Sequence, residues 1–195
     1  PVPPEATAMG AVLYSRMGGK TWYDDVALLG TPSLEAAKGT PKVDGVLDDA
    51  CWTEASLVDG FVEHAGTALA ERSAWAYVAY DDDAVYAAFD CPAAGESENE
   101  WVAVYLEPSH LHAGYFVLRL SIDGSIETAR NASARAPGSE EQPWQARAST
   151  KVARYDGGWR AEIAIPLEAL EPGPDTKPTW GLQLARYDAA SGQTV

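Results

Sequence analysis

The chain has 195 residues, 46% of them hydrophobic, enough for a packed core in one large β domain or in one and a half ordinary ones. Fourteen Lys and Arg stand against 29 Asp and Glu, giving a net charge of −15 and an isoelectric point near 4.4. Such a surface repels phosphate backbones and anionic lipid, which disfavours nucleic acid and membrane surfaces as partners but not calcium or uncharged ligands such as sugars.

No apolar run approaches the roughly 18 to 20 residues of a spanning helix, and the N-terminus lacks a basic-then-apolar layout. If the protein is secreted, its signal is expected upstream of Pro1. Two strand-like runs, residues 7–16 and 20–29, flank Met17-Gly18-Gly19, a hairpin signal. Two strands alone are not a stable domain, so these need others to pair with. Residues 31–40, with Pro32, Ser33 and Gly39, read as a linker, and a new unit starts at Pro41. Asp44-Gly45 is a turn dipeptide, and Asp48 is placed to cap a short helical turn that lays Ala50, Cys51 and Trp52 against a core.

Residues 75–80 and 84–90 form a predicted hairpin around Asp81-Asp82-Asp83, a triplet that turn chemistry explains more simply than a calcium loop. Residues 92–100 are a polar loop, 101–106 and 115–122 are the next strands, Asp123-Gly124 turns the chain, and 131–142 read as an exposed loop. Further strands are predicted over 144–154, 159–165 and 180–187. The clearest of them follows the Gly157-Gly158 turn. Trp159, Ala161, Ile163 and Ile165 share one face, Glu162 points the other way, and Pro166 ends the strand because it cannot donate to a sheet ladder. Many short strands with turn signals between them predict an all-β fold, an antiparallel β-sandwich. Trp52, Trp159 and Trp180 read as core; Trp75, Trp101, Trp144, Tyr105 and Tyr115 are candidates for an exposed platform, although strand alternation buries about half of any such set. A nucleophile elbow, a zincin pair and a phosphate-cradling glycine loop are all missing, so catalysis is not expected of this chain.

Two resemblances sharpen this reading. Thr21-Trp22-Tyr23-Asp24-Asp25-Val26-Ala27-Leu28 resembles the closing strand of jelly-roll carbohydrate-binding modules, making residues 1–30 the last strands of such a module. That resemblance implies a structural calcium on Asp24 or Asp25, which by themselves fall short of the 6 to 8 oxygens that calcium takes. From Pro41 onward the ordered pieces Val43-Asp44-Gly45-Val46-Leu47-Asp48-Asp49 with Trp52, then residues 79–89, 101–108, 157–167 and 180–186, resemble the family-nine carbohydrate-binding module, a DOMON-like β-sandwich.

In that family a sugar is gripped between two tryptophans while polar side chains read its hydroxyls. The resemblance carries a ligand-contacting arginine onto Arg119, with Ser121 standing where an asparagine is expected; Trp101, Tyr105 and Trp144, from the platform set, are the aromatic candidates. It departs at Ala103, where an acid is usual, near Ser97, where a clamp tryptophan is missing, and beyond Val195, where the second would fall. Similar sequences carry cysteines matching Cys51 and Cys91, so a disulfide between them, and an oxidising compartment, are the expectation. Some DOMON-like domains ligate haem. Here Met9 and Met17 lie outside the main unit and His64, His110 and His112 offer no convincing pair, so no haem is expected.

The resulting expectation is a non-catalytic module of a secreted or cell-surface multidomain protein that binds a neutral glycan. The alternative is an assembly module of an extracellular fibre or surface layer, in which neighbouring subunits add strands to one another.

Overall fold

In the computed structural model, which describes residues 34–62, 69–70, 72–93, 98–109, 114–132, 140–170 and 179–195, the strands gather into two sheets. The chain divides into two units, Pro1–Leu34 and Glu35–Val195, and all the described residues but Leu34 belong to the second. The predicted hairpin over 7–29, with Asp24 and Asp25, lies outside the described residues. In chain order the elements are β1 (Ala37–Lys38), α1 (Ala50–Glu54), β2 (Trp75–Tyr80), β3 (Ala84–Pro92), β4 (Trp101–Glu107), β5 (Tyr115–Ser121), β6 (Ile126–Asn131), β7 (Gln142–Pro143), β8 (Ser149–Tyr155), β9 (Gly158–Pro166), a 3₁₀ turn (Leu167–Leu170), β10 (Gly181–Asp188) and β11 (Gln193–Thr194). The first sheet runs β1-β2-β3-β9-β8 and the second β11-β10-β4-β5-β6-β7. Among the described strands only the β1–β2 pairing is parallel.

Period-two alternation decides what each sheet buries. In the first sheet Val85, Ala87, Phe89 and Cys91 of β3 stand in register with Ile165, Ile163, Ala161 and Trp159 of β9, and all eight are buried. In the second, Val102, Val104 and Leu106 of β4 and Leu118 and Leu120 of β5 are buried on one face. Each large side chain among them contributes about 1.5–3 kcal/mol by leaving water. The predicted face of β9 is therefore the core face of the first sheet, and Pro166 does end that strand.

The opposite face of the first sheet is covered by the chain itself. Cys51 and Trp52 of α1 pack on Ala79, Ala84, Tyr86 and Ala88. Glu162 points to this side as its parity demands, yet it is only 1% exposed. Its Oε2 accepts the backbone N–H groups of Asp44 (2.9 Å) and Gly45 (2.6 Å), and its Oε1 accepts the Trp52 indole N–H (3.0 Å). Gly45 meets two demands there: its φ is +88°, and a Cβ would stand 2.7 Å from the Ala153 methyl. At the β2–β3 turn Asp81 performs the predicted turn chemistry, its Oδ1 accepting the N–H groups of Asp83 and Ala84. Its other oxygen takes the hydroxyls of Thr40 (2.5 Å) and Tyr86 (2.7 Å), and these bonds, the Thr40 one foremost, hold the carboxyl well below the usual carboxylate range.

Several expectations change. The stretch read as linker contains β1, which pairs with Ala79 and Tyr80. Asp49, not Asp48, precedes α1, and its side chain makes no cap bond; Oδ2 instead accepts the Lys42 N–H at 3.0 Å. The strand predicted from residue 144 begins at Ser149, and β6 stands where no strand was predicted. The disulfide is overturned as well: Cys51 and Cys91 are both free, buried thiols. Cys91 lies in register with Trp159 on the core face of β3, whereas Cys51 packs on the opposite face against Ala88, so the sheet stands between them. Burial pushes both thiols up, Cys91 to about 12, which keeps them protonated and unreactive at neutral pH.

Candidate functional site

The face of the second sheet turned away from the core is built differently. Register places Trp101, Ala103 and Tyr105 of β4 beside Ser121, Arg119 and Val117 of β5 and beside Tyr187, Ala185 and Gln183 of β10. Ala103, Val117 and Ala185 form a buried floor, with Trp101, Tyr105, Tyr115 and Ala129 packed around it. Small residues in the middle strands let the large rings at their sides lie over the floor rather than push one another outward. The Trp101 and Tyr187 rings stack, with centroids 5.8 Å apart and planes 15° from parallel. Tyr105 and Tyr115 meet edge to face at 5.6 Å. Both geometries are those that ring quadrupoles favour.

Arg119 supplies the polar part. Its guanidinium lies 5.9 Å from the Tyr105 ring centroid, and Nη2 donates to the Tyr105 hydroxyl at 3.3 Å. Glu141, just before β7, takes the guanidinium in a two-pronged grip: Nη1 donates to Oε2 at 3.2 Å and Nη2 to Oε1 at 3.1 Å. The Tyr115 hydroxyl donates to the same Oε1 at 3.1 Å. The bond from Arg119 holds the Glu141 carboxyl below its ordinary range, and the carboxylate in turn raises Arg119; burial, then Glu141, pushes the Tyr115 phenol up. All three groups keep their ordinary charge at neutral pH.

Beneath the Trp101–Tyr187 stack lies a buried ionic lock made by the residues next to them in sequence. Arg186 is fully buried and donates to Glu100 Oε2 (3.0 Å), to the Ser73 carbonyl (3.0 Å) and to the Pro92 carbonyl. The Trp159 indole donates to the same Glu100 oxygen at 2.7 Å. Asp188 completes the group, 3.9 Å from Arg186 and 3.7 Å from Arg72. This network ties β10 and the start of β4 to the first sheet, so the two stacked rings stand on a fixed base.

Of the residues singled out from sequence, Trp101, Tyr105, Tyr115, Arg119 and Ser121 come together on this face. Trp144 does not join them. Its ring packs on Phe116 at 5.0 Å, its indole donates to the Ala169 carbonyl at 2.8 Å, and Phe116 has the parity of the core face. Trp75, another platform candidate, is 45% exposed on the other sheet. Sequence reasoning missed Tyr187, Gln183 and Glu141. Alternation along β10 could have put Tyr187 and Gln183 on one face, but nothing local marks Glu141 as the partner of an arginine 22 residues away. Surface depressions lined by Asp123, Thr150 and Lys151, and by Trp144, Arg147 and Glu168, lie away from these rings. No group of three or more His, Cys, Asp or Glu among the described residues is placed to hold a metal ion, and no described helix is long and apolar enough to cross a membrane. The residues considered for calcium (Asp24, Asp25) and for haem (Met9, Met17, His64, His110, His112) lie outside the described residues.

No family model and no curated protein matches the sequence. Solved structures do match the fold. A family-nine carbohydrate-binding module from Caldicellulosiruptor kristjanssonii in complex with cellotriose aligns with a TM-score of 0.57 at 17% identity, covering 82% of this chain and 79% of the module. The same source's family-nine module in complex with glucose gives 0.57 at 16%, over 81% and 80%. A Bacteroides uniformis protein described as a candidate carbohydrate-binding protein gives 0.58 at 8%, over 82% and 85%. The chain has the family-nine carbohydrate-binding module fold. The mid-strand position of β4, where an acid was expected, is Ala103, part of the floor, and the acid beside Arg119 is Glu141.

Proposed function

We propose that the chain is a non-catalytic carbohydrate-binding module that holds a neutral glycan against the outer face of its second sheet. The observation that carries this is the Trp101–Tyr187 stack beside the Tyr105–Arg119–Glu141–Tyr115 cluster on one sheet face. Aromatic faces take the C–H faces of a pyranose ring, and a hydrogen-bonded polar cluster at their edge answers its hydroxyls, which would otherwise be left unpaired on leaving water. Structural neighbours in complex with cellotriose and glucose support the ligand class. Trp101 and Tyr187 are the stacking residues of this reading; Arg119, Ser121 and Gln183 are its polar contacts. Trp144 takes a packing role. The expected setting is a secreted or cell-surface multidomain protein, with any calcium held by Asp24 and Asp25.

The test is calorimetric titration with cellotriose and glucose, backed by a broad glycan array. Saturable binding that Trp101→Ala and Arg119→Ala each weaken is expected. An intact, folded protein that binds no glycan on the array would sink the reading.

A further inference from the structure

A guanidinium lying over a phenol ring, with both terminal nitrogens aimed along one edge, is the arrangement that grips carboxylate, sulfate or phosphate groups in a bidentate manner. In this protein that edge already holds an anion, and the anion belongs to the chain. Glu141 fills both Nη positions of Arg119, and its Oε1 is further steadied by the Tyr115 hydroxyl. Two features reinforce the effect. Glu127, which register sets directly opposite Arg119 on β6, is exposed, and the protein as a whole carries −15. An acidic sugar reaching for Arg119 would have to evict one carboxylate to install another, order itself on the surface and approach a second carboxylate; the exchange gains nothing to offset these costs. An uncharged sugar faces no such exchange. The oxygens of Glu141 keep lone pairs for its hydroxyls, and the half-buried rings beside them offer a surface to its apolar face.

We propose that Glu141 is a specificity-determining residue: by occupying Arg119 it reserves the aromatic face for uncharged sugars and rejects uronic-acid and sulfated ones. This rests on the glycan-binding reading above and names the ligand class of the same face. The depressed carboxyl of Glu141 and the raised Arg119 agree with a pair that stays closed across the neutral range.

The experiment titrates cellotriose and trigalacturonate into the wild type, Glu141→Ala, and the double variant Glu141→Ala with Arg119→Met. Circular dichroism and thermal melts verify that each is folded; Glu141 is about a third exposed, so its loss leaves the fold intact. The wild type is expected to bind cellotriose and not trigalacturonate. Glu141→Ala should gain trigalacturonate binding by about tenfold or more, weakened by added salt, and the double variant should lose that gain. A folded Glu141→Ala protein with no gain overturns the proposal, as does a wild type that binds both sugars equally. In either case cellotriose binding by the wild type keeps the glycan-binding reading standing. A wild type that binds neither sugar, together with a Glu141→Ala variant that gains trigalacturonate through Arg119, supports the role of Glu141 and counts against the neutral-sugar reading.

Discussion

Two carboxylates lie over the outer faces of the two sheets, Glu162 over the first and Glu141 over the second, and their surroundings divide them. Glu162 sits under residues 44–52 and satisfies three N–H donors from that segment. Burial raises its pKa, with the hydrogen bonds pulling the other way. Among the described residues no such segment is laid over Glu141. That carboxylate is held by the Arg119 guanidinium and the Tyr115 hydroxyl beside half-buried aromatic rings, and its pKa is lowered. The same functional group fastens the chain to one sheet and presents polarity on the other. Whether a segment of chain is laid across the face decides which role it takes.

Removing the base common to both sheets should have the largest effect. Arg186→Ala would leave Glu100 buried with its guanidinium partner gone and Asp188 with Arg72 alone, at a cost of about 3–5 kcal/mol in urea unfolding. A variant as stable as the wild type would show that the two sheets are held without this lock. Glu162→Ala comes next, at about 2–3 kcal/mol, because the Gly45 N–H and the Trp52 indole lose their acceptor in a buried place. Its cellotriose affinity should be unchanged, which separates the fastening face from the presenting one; a large loss of affinity would merge them. Trp101→Ala reverses the pattern: about 1 kcal/mol of stability from the lost ring pair, but about tenfold weaker cellotriose binding.

The smallest effect is a difference of sign in pH dependence. Glu141 has a lowered folded pKa, so its stabilisation is fully present above the unfolded value of about 4.3 and is lost as pH falls through the folded value. Glu162 has a raised folded pKa, so the native state binds more protons between about 4.3 and that higher value, and stability falls as pH rises through this window. The melting difference between wild type and Glu141→Gln should therefore be present at neutral pH and vanish in acid. It should also be small, because the pair is about a third exposed. Persistence of the difference in acid would refute the assignment.

Much of the sandwich was legible in the sequence because alternation is a local property. Trp159, Ala161, Ile163 and Ile165 show their shared face in the sequence, and that face is the core. The same rule brought Trp101, Tyr105, Arg119 and Ser121 to one side of β4 and β5. It failed for β6, where Glu127, Thr128 and Arg130 give no apolar alternation; a strand so near the sheet's edge carries charge and needs none. It also failed for Trp144, because its place is set by Phe116 and the Ala169 carbonyl rather than by a strand of its own.

The sequence by itself determined the β class, most of the strands and the parity of every residue on them, since these follow from side-chain spacing over a few positions. Only the tertiary structure decided which faces are covered. Glu162 meets Gly45 across 117 positions, Trp159 meets Glu100 across 59, and Arg119 meets Glu141 across 22. Such pairings depend on how loops return over a finished sheet, and no local pattern encodes that. Cys51 and Cys91 carry the same lesson, because their separation by a sheet appears only when α1 is laid on one side of β3 and Cys91 is turned to the other.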